Sequence, residues 1–342
     1  MPRFKRLAGL NARQVAVATA LFCLVLIAGF WLAAFLVTER ERIETIEAEK
    51  LQNANLAIAF EAQSVRILKN VTLILNMAQR EYRRDPNALK LEQFAADIGI
   101  DPALVEFLGI ADETGNVVVG PAGAAPVTAA GREYFRHHQL TADERIFISK
   151  PVTGRTSGKW TMHVTRRLNK PDGSFGGVAI AGLNPAFFTD FFQPADLGQR
   201  SAVLLTGFDG VVRTRKAADH TTFSDDLSKS PRWQKMLAER VQHAEGTFVS
   251  VSVVDGTRRI YGFRVLKDYP LVATVGTSYD EVLAMANQAA RANYLAALIA
   301  TLLTLGFGTS VVVLLRSHDH DVAKLAKSEA RLRATFDQAT VG

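Results

Sequence analysis

The chain has 342 residues, a net charge of +6 and a hydrophobic fraction of 48%, which is high for a purely soluble protein. Cys23 is the only cysteine, so no disulfide can form within the chain, and no thiol is available outside the first apolar segment. Many of the basic residues flank apolar segments, and the others are mixed with acidic residues along the chain. The sequence therefore predicts no nucleic-acid partner, despite the positive charge.

Two uncharged apolar runs, 15–37 and 292–315, account for much of the hydrophobicity. At about 1.5 Å per residue, each can cross a hydrocarbon core of about 30 Å. A cleaved signal peptide is the alternative for the first run. That run exceeds the usual signal core and is followed by TERERIETIEAEK rather than a small-residue cleavage site, so an uncleaved anchor is favoured. Cys23 lies in this run, as a lipid-facing or a helix-packing residue.

Basic residues precede the first run and follow the second, which predicts that both termini are cytoplasmic. The segment between them is then periplasmic, and the protein crosses the inner membrane of a bacterium twice. The predicted organisation is a cytoplasmic N-terminus at 1–14, a transmembrane helix at 15–37, a periplasmic domain at 38–290, a second transmembrane helix at 292–315, and a cytoplasmic segment at 316–342.

The periplasmic part begins with a long helical pattern. Residues 38–84 contain no proline or glycine, and their apolar residues recur at helical spacing. This predicts one helix of about 45 residues, ended by RRDPNALK, with a short second helix over 89–98.

Beyond residue 101 the composition changes to strands and turns. VEFLGIADETGNVVVG predicts two strands around a tight turn, and SAVLLTGFDGVVRTR repeats that pattern further along. The repeat predicts two tandem modules, at about 85–190 and about 200–278. The first is expected to hold an antiparallel sheet of about five strands, and the second ends with three further strands before a helix that begins at Tyr279.

The order of span, long helix, two modules, helix and span resembles the double Cache (PDC-like) sensor domains of bacterial receptors. GREYFRHH, FISKPVTGRTSGKWTMHVTRRLNKPDGSFGGVAIAGL and YGFRVLKDYPLVATVGTS carry the resemblance, across roughly 38–290. It implies an α+β fold in which a long N-terminal helix supports two PAS-like antiparallel-sheet modules. Separately, KSEARLRATFDQATVG resembles the opening helix of PAS domains that precede histidine kinase or diguanylate cyclase modules. The chain is therefore expected to be the first part of a longer receptor.

The resemblance also implies a ligand site in the first, membrane-distal module. An arginine on the helix between the second and third strands holds a ligand carboxylate, and an aromatic residue two positions later forms a pocket wall. Arg132 and Tyr134 occupy those positions. A guanidinium group matches a carboxylate as a planar fork. The alternative is an exposed arginine beside a tyrosine of the core.

Alternation along the strand KWTMHVTRRL extends this site. Met162 and Val164 are predicted to face the long helix, so Thr161, His163 and Thr165 face the expected pocket.

The turn before that strand supplies three further candidates. Trp160, Lys150 and Arg155 are predicted to reach the pocket mouth. The alternative places Trp160 in the core and leaves the two cations as solvated turn residues.

One departure from the resembled family concerns the ligand. Members that bind amino acids carry an aspartate just after the strand that here reads GGVAIAGLN, but Gly182 and Asn184 stand in that region. Without an anion there, a ligand ammonium lacks its counter-charge. A carboxylate or another small anion is therefore predicted rather than an α-amino acid.

Metal binding and catalysis have little support. His137 and His138 are adjacent and point apart on a helix, and HDHD at 318–321 does not share one helical face, so both pairs of histidines are expected to be solvated. No metal or other cofactor is predicted. No phosphate loop, GxSxG or HExxH motif occurs, so an output enzyme would lie in the longer parent protein.

These observations predict a transmembrane sensor that forms a homodimer through its long helices and binds a small anion in its distal module. Two alternatives stay open. One is a chemotaxis receptor, although such proteins usually place a HAMP linker after the last span. The other is a membrane-anchored binding or assembly module without enzymatic output.

Overall fold

The protein is described here from a computed structural model that covers residues 12–86, 89–121, 127–154, 158–192, 197–218, 220–239 and 243–339. The chain forms two compact units. One unit combines the two chain ends, up to Thr45 and from Leu283, and the other comprises Ile46–Val282.

The unit of the chain ends is built from parts of two long helices, α1 (Ala12–Arg84) and α5 (Tyr279–Ala339). Both helices are long and apolar enough to cross a membrane. Inside this unit the Trp31 indole Nε1 donates a hydrogen bond to Thr301 Oγ1 at 3.2 Å. Cys23 is only 6% exposed, and its Sγ lies 3.8 Å from the carbonyl oxygen of Thr304. Cys23 is therefore a helix-packing residue rather than a lipid-facing one, which were the two predicted alternatives.

Helix α1 runs without interruption into the second unit and ends at Arg84, the predicted end. Two basic residues, Arg83 and Arg84, occupy its last turn, where they complement the partial negative charge of the helix C-terminus. The short helix α2 (Leu91–Asp97) follows.

The first module is an antiparallel sheet with one helix, α3 (Glu133–Leu140), on its face. The strand order is β2-β1-β6-β5-β3, and β4 pairs with β5. The segment ERIFISKPV forms two short strands rather than one, because Pro151 between them has no backbone N–H to donate. The strands are β1 (Val105–Ala111), β2 (Val117–Val119), β3 (Phe147–Ile148), β4 (Val152–Thr153), β5 (Trp160–Asn169) and β6 (Phe175–Leu183).

The second module follows a 3₁₀ turn at Pro185–Phe188 and contains a sheet of order β10-β11-β12-β7-β8-β9. Helix α4 (Pro231–Glu239) was not predicted, although Ser-Pro at its start and the buried pair Trp233 and Met236 are helix signals. The strands are β7 (Ala202–Gly207), β8 (Val212–Ala217), β9 (His220–Thr222), β10 (Glu245–Val251), β11 (Arg258–Val265) and β12 (Leu271–Ser278).

One apolar cluster joins α1 to both sheets. It forms because one face of each sheet presents every second residue to the helix. Its fully or almost fully buried members include Phe60, Leu68, Leu75, Met162, Val164, Leu205 and Ala273. Both modules therefore pack on the same helix.

The contact between α1 and the second sheet is especially close at Asn53. Its side-chain Nδ2 donates hydrogen bonds to the carbonyl oxygen of Ile260 at 2.9 Å and to Thr277 Oγ1 at 2.8 Å. A Cβ atom on Gly262 would lie 2.4 Å from the carbonyl carbon of Asn53. Glycine at position 262 is thus what lets the helix backbone approach the sheet.

Candidate functional site

Arg132 stands at the entrance to helix α3. It was predicted on the helix, but the helix begins at Glu133 and Arg132 is its N-cap residue, with φ −83° and ψ 146°. These extended dihedral angles place it just outside the helical turns. Its side chain is half-buried.

His163 on β5 lies beside both predicted residues. The centroid of its ring is 5.1 Å from that of Tyr134, and both residues are buried. Burial, with a smaller contribution from the charge of Arg132, lowers the pKa of His163 to about 4. Its Nδ1 atom is buried and has no hydrogen-bond partner in the part of the chain that the structure describes. The site therefore combines a cation, an aromatic wall and a neutral imidazole with an unfilled hydrogen-bonding position.

The alternation predicted along β5 is observed. Met162 and Val164 belong to the core on α1, while His163 contacts Tyr134 of α3 on the other face. Thr161, 3% exposed, shares that face.

Gly182, one of the two residues near the expected place of the aspartate, is tightly enclosed. A Cβ atom on Gly182 would lie 3.0 Å from Phe107 Cβ and 3.0 Å from Thr161 Cγ2. An aspartate at position 182 would have to displace these neighbours. Glycine at this position therefore fits the close packing around it.

The remaining candidates lie toward the second module. The Trp160 indole is 41% exposed, and its ring centroid is 5.7 Å from that of Phe223. Lys150 is half-buried and lies near Asp226, whose lowered pKa comes mainly from hydrogen bonds donated by Ser228 and to a smaller degree from Lys150. Arg155 lies outside the described residues. The structure thus brings Arg132, Tyr134, Thr161 and His163 to one face, with Lys150 and Trp160 at the junction of the modules.

His138 was predicted to be solvated, and this is wrong. It is fully buried, its Nε2 lies 3.0 Å from Thr165 Oγ1, and Arg167 donates a hydrogen bond to its carbonyl oxygen. Burial and, secondly, the neighbouring His137 lower its pKa to about 4. The i, i+4 spacing of Tyr134 and His138 could have shown that both belong to the buried face of the helix. His137 is exposed, as are the histidines and aspartates of 318–321.

Glu106 is a further polar residue of this module that the sequence did not single out. Its Oε1 lies 3.7 Å from Lys159 Nζ, while Oε2 is buried without a hydrogen-bond partner among the described residues. The register of β1 against β6 shifts between Val105 and Phe107, so Glu106 occupies an irregular position. Its neighbour Phe107 pairs with Gly182, and Gly182 pairs with His163, so Glu106 adjoins the row of strand residues that contains His163.

No group of three or more potential metal ligands occurs within the ranges that the structure describes. The residues of the site offer charge, hydrogen bonding and aromatic contact.

The two buried histidines predict a pH dependence of stability. Each has a pKa of about 4 when folded, against 6.5 when exposed, so its neutral form is favoured by folding. The contribution of each histidine to the free energy of unfolding is complete above pH 6.5. It is lost as the pH falls from 6.5 toward 4, and the loss is up to about 3 kcal/mol per histidine. Melting of the purified chain in detergent, followed by near-ultraviolet circular dichroism, should show the midpoint falling between pH 7 and pH 4.5.

The control for this prediction is the exposed neighbour of one buried histidine. His138→Gln and His163→Gln should each flatten the dependence, while His137→Gln should reduce it less, because His137 contributes only the smaller part of the lowered pKa of His138. Equal pH dependence in all three variants would contradict the assignment. The window ends at pH 4.5 so that carboxylate titration contributes little.

Comparison with known proteins agrees with this architecture. Residues 185–276 match a family model of the dCache_1-like type, described as a histidine kinase sensor domain. The extracellular domain of rpHK1S-Z16, assigned as a histidine kinase, superposes with a TM-score of 0.62 at 25% identity, over 69% of this chain and 97% of that one. No curated protein matches the chain.

Two further solved structures share the fold at lower identity. The ligand-binding domain of the Pseudomonas fluorescens chemoreceptor CtaA, in complex with L-isoleucine, has a TM-score of 0.51 at 14% identity, over 71% of this chain and 98% of that one. A domain of a sensory box/GGDEF family protein from Vibrio parahaemolyticus has a TM-score of 0.50 at 13% identity, over 71% and 99%.

The predicted resemblance to double Cache sensor domains is confirmed by these matches, as is the α+β fold with its long N-terminal helix. Residues 185–276 are similar to this family of sensor domains, and the described part of the chain shares the fold of Cache-type extracellular sensor domains. The chain combines this sensor-type fold with two helices that are long and apolar enough to cross a membrane.

Proposed function

We propose that the distal module binds a small carboxylate or another small anion on the face formed by Arg132, Tyr134, Thr161 and His163. The observation that carries this proposal is the buried Nδ1 of His163, which lacks a partner among the described residues and adjoins both a guanidinium group and an aromatic ring. A neutral imidazole can donate one hydrogen bond to a carboxylate oxygen, and Arg132 can supply the charge.

Steric evidence favours an anion over an α-amino acid. An aspartate at position 182, which would face a ligand ammonium, would require Phe107 and Thr161 to shift by a few tenths of an ångström. Glu106 is the competing observation, because its buried Oε2 could accept a hydrogen bond from an ammonium group. An amino-acid ligand, like the L-isoleucine of the CtaA complex, is therefore the second candidate.

The ligand is identified by thermal shift of the purified chain in detergent. Monocarboxylates, dicarboxylates and L-amino acids are screened at the same concentration, and a ligand that binds only the folded chain raises its melting temperature. We expect a carboxylate to give the largest shift, and Arg132→Ala to weaken its binding about 10- to 100-fold through loss of a charge-assisted hydrogen bond.

Arg136 provides the matched control. It lies in the helix that Arg132 caps, carries the same charge and is exposed. Arg136→Ala should bind as the parent chain does. If Arg132→Ala leaves the affinity unchanged, the distal site is wrongly assigned, and if Glu106→Gln abolishes binding of an amino acid, the second candidate replaces the first.

The remainder of the proposal concerns signalling. The sensor domain, 38–290, lies in the periplasm of a bacterium, the two apolar segments cross its inner membrane, and the long helices form a homodimer. The cytoplasmic segment leads into a PAS domain that serves a histidine kinase or a diguanylate cyclase. A ligand biases such a receptor only by its difference in affinity between two signalling states. The gene sequence beyond the codon for Gly342 tests the proposed PAS-linked kinase or cyclase. A HAMP linker and a chemotaxis signalling module there would favour the chemotaxis receptor instead.

A further inference from the structure

The second module contains a cavity of about 90 Å³ that the distal site does not use. It lies on the face of the second sheet that turns away from α1. Leu204 and Thr274 line it, whereas their strand neighbours Leu205 and Ala273 belong to the core on α1. Helix α4 and the β10–β11 hairpin complete its walls.

The walls of this cavity are mostly apolar and partly aromatic. Trp233 and Met236 come from α4, and Phe248 and Tyr261 from neighbouring strands, with their ring centroids 5.0 Å apart. An aliphatic or aromatic ligand body fits such a surface.

The charged lining residues are all cationic. Arg215 and Arg232 line the cavity, and its described lining includes no aspartate or glutamate. Arg215 is buried and pairs with Asp255, which also receives two hydrogen bonds from the buried Arg259 at 2.9 and 2.8 Å. One carboxylate thus pairs with two buried guanidinium groups, which leaves a net charge of one positive on these three residues. Arg232 adds a second positive charge.

Arg232 is the cation of this set that faces an aromatic ring. Its Cζ atom lies 4.1 Å from the centroid of the Phe248 ring, and its Nε is buried without a hydrogen-bond partner among the described residues. A buried donor without a partner carries an energetic cost that an anionic ligand would relieve. Arg232 is half-buried, so its charge is held partly out of water at the cavity wall.

The size of the ligand follows from the cavity. A cavity of about 150 Å³ accommodates benzene, so the present volume suits a short branched chain, or a ring that extends toward the opening. The hairpin at that opening exposes Val251 and Val253, which are 57% and 64% accessible and can contact an apolar group.

We propose that this cavity is a second ligand site, specific for a small monocarboxylate with an aliphatic or aromatic body. Arg232 binds the carboxylate, and the aromatic residues of α4 and β10–β11 enclose the apolar part. The site is separate from the face around Arg132, so the receptor can respond to two compounds.

Binding is measured by titration calorimetry with the purified chain in nanodiscs, carrying Arg132→Ala so that carboxylate binding at the distal site is weakened. The probes are isobutyrate, isovalerate and benzoate, each compared with its neutral amide. We expect at least one carboxylate to bind at least 10-fold more tightly than its amide. Arg232→Gln should abolish that preference, while Lys235→Gln, an exposed position on the same helix, should keep it.

A second readout places the ligand. Trp233 lines the cavity, so ligand binding should change the indole fluorescence, and Trp233→Phe should remove that change. If Arg232→Gln does not fold, as judged by circular dichroism, Arg232→Met is used, which keeps an apolar stem but loses the charge. The proposal is overturned if none of the three carboxylates binds, or if the carboxylate preference survives in the folded Arg232 variant.

Discussion

Replacement of Asp255 by asparagine is expected to destabilise the sensor unit more than any surface substitution. The carboxylate bridges Arg215 and Arg259, which are 5% and 2% exposed. Burial opposes ionisation of Asp255, but hydrogen bonds from Arg259 outweigh that effect and hold its pKa well below the usual value. A neutral amide at this position would leave two buried cations without a counter-charge, so the free energy of unfolding should fall by about 3 to 5 kcal/mol.

The measurement is denaturant unfolding of the purified chain in detergent, compared with an exposed ion pair of the same charge type. Glu113 pairs with Lys170 at 3.1 Å, with both side chains close to half exposed. Glu113→Gln should change the free energy of unfolding by less than about 1 kcal/mol. Equal effects of the two substitutions would show that the buried cations find other partners.

Replacement of Gly262 by valine is expected to separate α1 from the second sheet. The Cβ atom would meet the carbonyl carbon of Asn53 at 2.4 Å and the nitrogen of Ala54 at 2.6 Å, and both belong to helix backbone rather than to a flexible side chain. The hydrogen bonds that Asn53 donates to Ile260 and Thr277 would be strained or lost. We expect a loss of about 3 kcal/mol or more, at the upper end for overpacking.

Gly131 is the matched control for this substitution. No heavy atom lies within 4 Å of a Cβ built at that position. Gly131→Ala should therefore alter the melting temperature only slightly, as surface substitutions do. A Gly262→Val chain that melts with the parent would mean that the helix is not packed on β11 as described.

The elements with strong periodicity could be predicted from the sequence. An uninterrupted helical pattern up to Arg84 predicted the long helix, and alternation along β5 predicted which side chains face α1 and which face α3. Both patterns are local, so a single chain segment contains all the information.

Features that depend on distant packing could not be predicted in this way. Glu106 lies at a register irregularity between β1 and β6, and no local pattern distinguishes it from a surface carboxylate. The contact of Trp160 with Phe223 joins residues of different modules. Asp255 could be seen as a turn residue, but its pairing with Arg215 is set by the second sheet. The family resemblance predicted Arg132 and Tyr134 as site residues. The residues that line the second cavity belong to no sequence motif, so they could not be predicted.

The apolar cluster along α1 makes the two modules thermodynamically interdependent. Leu68 and Met162 share that cluster with Leu205 and Ala273, so each sheet buries one of its faces in a core that it shares with the other module. A chain divided between the modules would expose an apolar helix face on whichever fragment kept α1. The free energy of a ligand bound in one module is therefore also available to hold the other module folded.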